Sequence, residues 1–183
     1  ALSADGKLAL SGSSDSTVRV WELDSDKRSV LRGHTDRVLA VALSADGKLA
    51  LSGSADKTVR VWDLDSGKSR ALKGHADSVW GVALSADGKL ALSGSDDKTV
   101  RVWDLESGKS RVLEGHTDSV LGVALSADGK YALSGSYDKT VRVWDLDSGK
   151  SRALEGHTAG VRSVAFVDGD KLVVSGAKNG VLC

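Results

Sequence analysis

Four short runs separated by turn-forming residues recur along the chain, and the second occurrence shows them in full. Val38 to Ser44 (VLAVALS) is almost continuously apolar, which predicts a short strand buried on both faces. Ala45-Asp46-Gly47-Lys48 carries hairpin chemistry, Asp-Gly being a strong turn signal. From Leu49 to Gly53, Leu49 and Leu51 alternate with Ala50 and Ser52 as a second strand. After the turn Ser54-Ala55-Asp56-Lys57, the run Thr58 to Leu64 sets Val59 and Val61 on one face and Thr58, Arg60 and Trp62 on the other. Asp65-Ser66-Gly67-Lys68 turns the chain again, into a more polar fourth strand from Ser69 to Leu72. The pattern predicts an antiparallel meander, apolar at its inner strand and polar at its outer one. A 3.6-residue apolar stripe is found nowhere over eleven or more residues, so no helix is expected.

This unit is copied. Ala42 to Val82 and Ala83 to Val123 are each 41 residues long and differ at six positions. The Gly-His pairs at 33–34, 74–75, 115–116 and 156–157 keep that spacing, as do Trp21, Trp62, Trp103 and Trp144, each followed by Glu or Asp. A fixed period of this size marks one supersecondary unit stacked on copies of itself. The repeats divide as 1–41, 42–82, 83–123, 124–164 and a partial 165–183, about four and a half units, in a single propeller or propeller segment. A four-stranded sheet with two apolar faces cannot bury both alone. Stacking buries them, and a closed ring leaves only short protected edges. The expected class is therefore all-β, a β-propeller of four-stranded antiparallel blades.

The Gly-His at 74–75, the Trp-Asp at 62–63 and the Ser-x-Asp-x-Thr run from Ser54 to Thr58 resemble the WD-repeat (WD40) β-propeller family, over the whole chain. The resemblance implies that each outer strand is followed by Gly-His, in a loop leading to the inner strand of the next blade. Two features depart from the pattern. The chain begins inside an inner strand at Ala1-Leu2-Ser3 and stops at Cys183 inside a third strand. The last copy also diverges, with Phe166, Asp168-Gly169-Asp170, and Asn179-Gly180 where other copies have Asp-Lys or Asp-Ser.

Composition narrows the partners. Lys+Arg and Asp+Glu both number 25, evenly mixed, so no charge excess draws the chain to nucleic acid or an anionic membrane. With 40% hydrophobic and 27% charged residues, no run of 18 apolar residues and no signal-peptide pattern, a soluble cytoplasmic protein is expected. A single cysteine, Cys183, provides neither a disulfide framework nor a zinc spacing and fits a reducing compartment. The missing initial Met and the start inside a repeat hint at a trimmed chain.

Each complete unit holds a His, a strand Ser, a turn Asp and a Trp: His34, Ser52, Asp56 and Trp62; His75, Ser93, Asp97 and Trp103; His116, Ser134, Asp138 and Trp144. Ser, His and Asp are also the components of a hydrolytic triad. A triad repeated in every blade is an odd active site, whereas a hydrogen-bonded chain locking loop to strand is useful in every copy. The family resemblance implies the second reading, with indole N–H, hydroxyl, imidazole and carboxylate in series. No catalytic residue is therefore expected, and no cofactor or metal. Ser66-Gly67-Lys68-Ser69 imitates a phosphate loop, but the required first glycine falls on Trp62. Asp168-Gly169-Asp170 lacks the further oxygen ligands of a calcium loop.

The differences between copies are more informative. Before the turn Asp or Asn stand Ser14, Ala55, Asp96, Tyr137 and Lys178; five residues after each His stand Leu39, Trp80, Leu121 and Arg162; three after each His stand Arg37, Ser78, Ser119 and Gly160. A His–Asp contact brings these positions to one rim. Arg37, Leu39, Ser78, Trp80, Asp96, Leu121, Tyr137, Arg162 and Lys178 are thus the expected partner-binding set, centred on Trp80. The family resemblance agrees, since this rim is a common binding surface of such propellers. Drift at unconstrained surface sites is the alternative. It leaves unexplained why the equally exposed Ala-Asp-Gly-Lys turns hardly vary. The expected function is a non-catalytic interaction scaffold for a protein or peptide. The alternatives are a self-assembling module, such as a homodimer closing a ring, and a sensor segment of a larger protein with catalytic domains elsewhere. An isolated monomeric ring is not expected.

Overall fold

The computed structural model describes residues 1–180 and residue 182. Its strands form five antiparallel sheets in chain order, with no helix among the described residues. The first sheet holds β1 (Leu8–Gly12), β2 (Thr17–Glu22) and β3 (Arg28–Arg32). The second runs β4 (Val38–Leu43), β5 (Leu49–Ser54), β6 (Thr58–Asp63) and β7 (Ser69–Lys73). The third has β8 (Val79–Leu84), β9 (Leu90–Ser95), β10 (Val100–Asp104) and β11 (Ser110–Leu113). The fourth has β12 (Val120–Leu125), β13 (Tyr131–Ser136), β14 (Val141–Asp145) and β15 (Ser151–Leu154), and the fifth pairs β16 (Val161–Val167) with β17 (Leu172–Ala177). Each full sheet is an up-and-down meander, its strands within a residue or two of the runs expected from alternation. In the first sheet Leu2 bridges Ala9, the counterpart of the Leu43–Ala50 pair one repeat later. In the fifth, Leu182 bridges Gly176; the rest of the third strand expected there, Val181 and Cys183, lies outside the described residues.

The core lies between sheets. Leu51, Val59, Val61 and Leu72 of the second sheet pack on Val79, Ala91, Trp103 and Leu105 of the third. The next junction repeats the arrangement, with Leu92, Val100, Val102 and Leu113 against Val120, Ala132, Trp144 and Leu146. Strand alternation thus serves two junctions at once: Val59 and Val61 face forward, while Trp62 faces back onto Leu10 and Val18 of the first sheet. Burying one Trp contributes about 4–6 kcal/mol of gross hydrophobic stabilisation, from 150–250 Å² at ~25 cal/mol/Å². A close approach sets the spacing of the sheets. A Cβ added at Gly94 would lie 2.7 Å from Val120 Cγ1, so only glycine lets the next sheet nest there.

One expectation is corrected. The first strands are not buried on both faces: β4 and β12 are fully buried only at Val38 and Val120, and β16 is largely exposed after Val161. The doubly packed strands are the second ones, β5, β9 and β13. The first strand bonds to a single neighbour in its sheet, and β4, β8, β12 and β16 lie side by side as the sheets fan out from them. Their apolar side chains are therefore shared between two half-covered surfaces, while the second strand sits between complete sheets.

Candidate functional site

In each of the three full sheets, one hydrogen-bond chain ties the loop before the first strand to the turn between the second and third. Trp103 Nε1 donates to Ser93 Oγ at 2.8 Å, Ser93 Oγ lies 2.7 Å from His75 Nε2, and His75 Nδ1 lies 2.7 Å from Asp97 Oδ2. The proton order follows from the carboxylate end. The Asp97 carboxylate can only accept, so Nδ1 carries a hydrogen and donates it there. In a ring kept neutral by burial Nε2 is then the acceptor, and the serine hydroxyl donates to it while accepting from the indole N–H. Trp62–Ser52–His34–Asp56 and Trp144–Ser134–His116–Asp138 have the same spacings, 2.8, 2.7 and 2.7 Å.

Electrostatics agree with this proton order. Burial lowers the pKa of His34, His75 and His116 and outweighs the opposing pull of the paired aspartates. Partial burial raises Asp97, but hydrogen bonds from Thr99, the Ala76 N–H and His75 overcome it and hold its pKa at about 2. Asp138 is likewise held at about 2 by Thr140, His116 and the Thr117 N–H. A serine whose hydroxyl faces a buried neutral imidazole and an indole, fully enclosed, has no approach for a substrate: Ser52, Ser93 and Ser134 are all 0% exposed. The first and last sheets carry partial versions. Trp21 Nε1 donates to Ser11 Oγ at 2.9 Å on an exposed face, and His157 Nε2 meets Ser175 Oγ at 2.7 Å. Asn179 stands in the carboxylate's place there and donates to Thr158 Oγ1 at 3.1 Å.

The positions that differ between copies have a common backbone origin. Pairing of the first two strands slips between Val38 and Ala40, between Val79 and Gly81, between Val120 and Gly122 and between Val161 and Ser163. The skipped residue is Leu39, Trp80, Leu121 or Arg162. Each is thus the extra residue of a β-bulge, a device that turns a side chain out of the ladder. Just beside it, Ala55, Asp96, Tyr137 and Lys178 donate backbone N–H groups to Arg37, Ser78, Ser119 and Gly160 carbonyls, each at 2.9 Å. Both variable sets are therefore held on one rim by the fixed backbone.

Trp80, Leu121, Tyr137 and Arg162 line one cavity of about 270 Å³ spanning the third, fourth and fifth sheets. Arg37, Leu39, Ser78, Asp96 and Lys178 do not line it; Arg37 lies 3.9 Å from its neighbour Asp36. Sequence reasoning did not single out Gly160 as more than one varied position. A Cβ there would fall 2.2 Å from Tyr137 Cδ1, so the tyrosine ring occupies the space that Arg37, Ser78 and Ser119 fill in other copies. A second groove, of about 450 Å³, opens beside Leu49, Val61, Arg70 and Leu105, where Arg70 donates to the Leu105 carbonyl. It recurs at the next junction around Leu90, Val102 and Arg111, with Arg111 donating to the Leu146 carbonyl. It is a property of the repeat.

Among the described residues no three His, Cys, Asp or Glu side chains gather closely enough to hold a metal ion. No helix among the described residues is long and apolar enough to cross a membrane. No curated protein matches the chain. The family model of the WD domain, G-beta repeat, matches residues 1–22, 25–63, 67–104, 108–145 and 149–183. Three of its repeats end on Asp63, Asp104 and Asp145, the acidic residues that directly follow the buried tryptophans, and with five matches across sheets of this topology the chain belongs to the WD40 family.

Proposed function

We propose that the chain is a non-catalytic scaffold that presents its varied rim to a protein or peptide. WD40 repeats generally mediate protein–protein interaction. The observation that carries the reading for this chain is the cavity. Four residues from two positions that differ from copy to copy line it, while the surrounding backbone repeats and Tyr137 is matched to Gly160. Drift alone has no reason to match residues on adjacent sheets. Exposed aromatic side chains in a concavity are typical interface anchors. The reading needs no cofactor, metal, nucleic acid or membrane, and a cytoplasmic setting suits it. Affinity capture with the wild-type chain, repeated with Trp80→Ala and Tyr137→Ala, tests it: both variants lose the captured partner and keep their circular dichroism. Retention by both, with loss on substituting Arg70 or Arg111, places binding on the outer circumference instead.

A second reading, self-association, is favoured by the two outer sheets. Leu23 is 52% exposed where Leu105 is 8%, and Val174 is 38% exposed where Leu133 is 0%. The two faces have the make-up of the two sides of each buried junction, so they suit one another head to tail. Light scattering decides: a well-folded monomer at micromolar concentration excludes it.

A further inference from the structure

We infer that the cavity between Trp80, Leu121, Tyr137 and Arg162 takes a protein segment in which a bulky apolar side chain stands within two residues of an Asp or Glu. The inference rests on the rim reading above and adds the chemistry of the partner.

Size limits the occupant first. About 270 Å³ is just below the range of roughly 300–1,000 Å³ typical of small-molecule sites, and suits one large side chain of a longer segment. Three of the four walls are apolar or aromatic, and Trp80 remains 39% exposed. The fourth wall is a cation. In the other copies the bulge residue is Leu39, Trp80 or Leu121; only the fifth sheet supplies a guanidinium at that place. Among the described residues, no carboxylate lies within 4.0 Å of Arg162, which forms none of the ion pairs. Its one side-chain hydrogen bond, from Nη2 to the Tyr137 hydroxyl, is a long 3.4 Å.

That long contact to the phenol oxygen leaves most of the exposed guanidinium's donors in water. A partner seated over the cavity removes that water, and a buried charge without a counter-ion is strongly unfavourable. The occupant must therefore bring an anion, and a carboxylate meets the planar fork of a guanidinium with two parallel hydrogen bonds. The polarity of the site follows. The apolar side chain lies between Trp80 and Tyr137, and the acidic one lies toward the fifth sheet against Arg162.

A random peptide library displayed on phage and selected on the immobilised 183-residue chain tests this. Enriched peptides should combine Leu, Phe, Trp or Tyr with Asp or Glu one or two positions away. Their affinity should fall about tenfold or more in Arg162→Gln, which remains folded by circular dichroism because the side chain is exposed. Selection on Arg162→Glu should exchange the acidic preference for Lys or Arg. Apolar peptides with no acidic preference, or a preference unchanged in Arg162→Glu, overturn this inference and leave the rim reading standing. Peptides that bind Trp80→Ala and Tyr137→Ala as well as the wild type overturn both, as does a library that yields no enriched peptide.

Discussion

Asp138 and Tyr137 are neighbours in one turn and have opposite surroundings. Asp138 points inward to His116 Nδ1 at 2.7 Å, with its pKa held at about 2. Tyr137 points outward, over Gly160 and into the cavity with Arg162. The same division runs through every full sheet. The inward chain has equal spacings in three copies, while the residue just before it is Ala55, Asp96 or Tyr137. The difference shows where the demands of the fold end. A buried hydrogen-bond chain admits one solution, because each member leaves a partner unsatisfied if it changes. One residue away, only backbone hydrogen bonds matter, and the side chain is free to serve something else.

The largest expected effect breaks the inward side. Trp103→Ala removes a side chain that is 2% exposed and leaves Ser93 without its donor; a loss of about 3–5 kcal/mol in urea denaturation is expected. Less than about 1 kcal/mol would show that the junction between sheets does not rest on that ring.

His75→Ala should cost about 1–3 kcal/mol, because Ser93 and Asp97 both lose a partner. Acid should act on the same chain. The folded-state pKa of His34, His75 and His116 lies below the ordinary 6.5, so the unfolded chain binds those protons first. The stability is complete above about pH 6.5 and declines as pH falls toward the lowered values. Asp97 and Asp138 extend the loss: their contribution is present above the ordinary 3.8 and disappears as pH falls through about 2. A melting temperature that rises between pH 6.5 and pH 5 would contradict this sign.

Gly160→Ser sharpens the outward side. The added atoms meet Tyr137, and overpacking should cost about 1–3 kcal/mol. In a Tyr137→Ala background the same substitution should be nearly neutral, since Ser78 and Ser119 occupy this place in other copies. Equal costs in both backgrounds would mean that the two positions are not matched.

The smallest effect lies in the turn. Lys98 adopts φ +70°, a left-handed conformation that a side chain disfavours, and Gly180 holds the corresponding place in the last copy with φ +81°. Lys98→Gly should stabilise by about 0.5 kcal/mol, the relief of strain being partly offset by chain entropy. A destabilised variant would show that the lysine side chain makes up for its backbone.

Much of this was legible in the sequence. The 41-residue period and alternation such as Val59 and Val61 against Trp62 specify strands, turns and sheet order, because strand geometry is local. His, Ser, Asp and Trp stand out because they recur at fixed spacings. The burial of the first strand was misread: VLAVALS looks the same whether its sides are covered by complete sheets or only half covered by neighbouring edges. The bulge at Leu39, Trp80, Leu121 and Arg162 was hidden because register depends on the partner strand. The match of Tyr137 to Gly160 was hidden because it joins different repeats.

The central claim is that the inward chain serves the fold and the outward residues serve the partner. The most direct test melts His75→Ala and Trp80→Ala beside the wild type and titrates all three with a peptide selected on the rim. The account predicts a lower melting temperature with near-normal affinity for His75→Ala while it is folded. For Trp80→Ala it predicts an unchanged melting temperature with affinity lower by roughly thirtyfold. An unchanged affinity in Trp80→Ala, or lost affinity in His75→Ala at full stability, would contradict it.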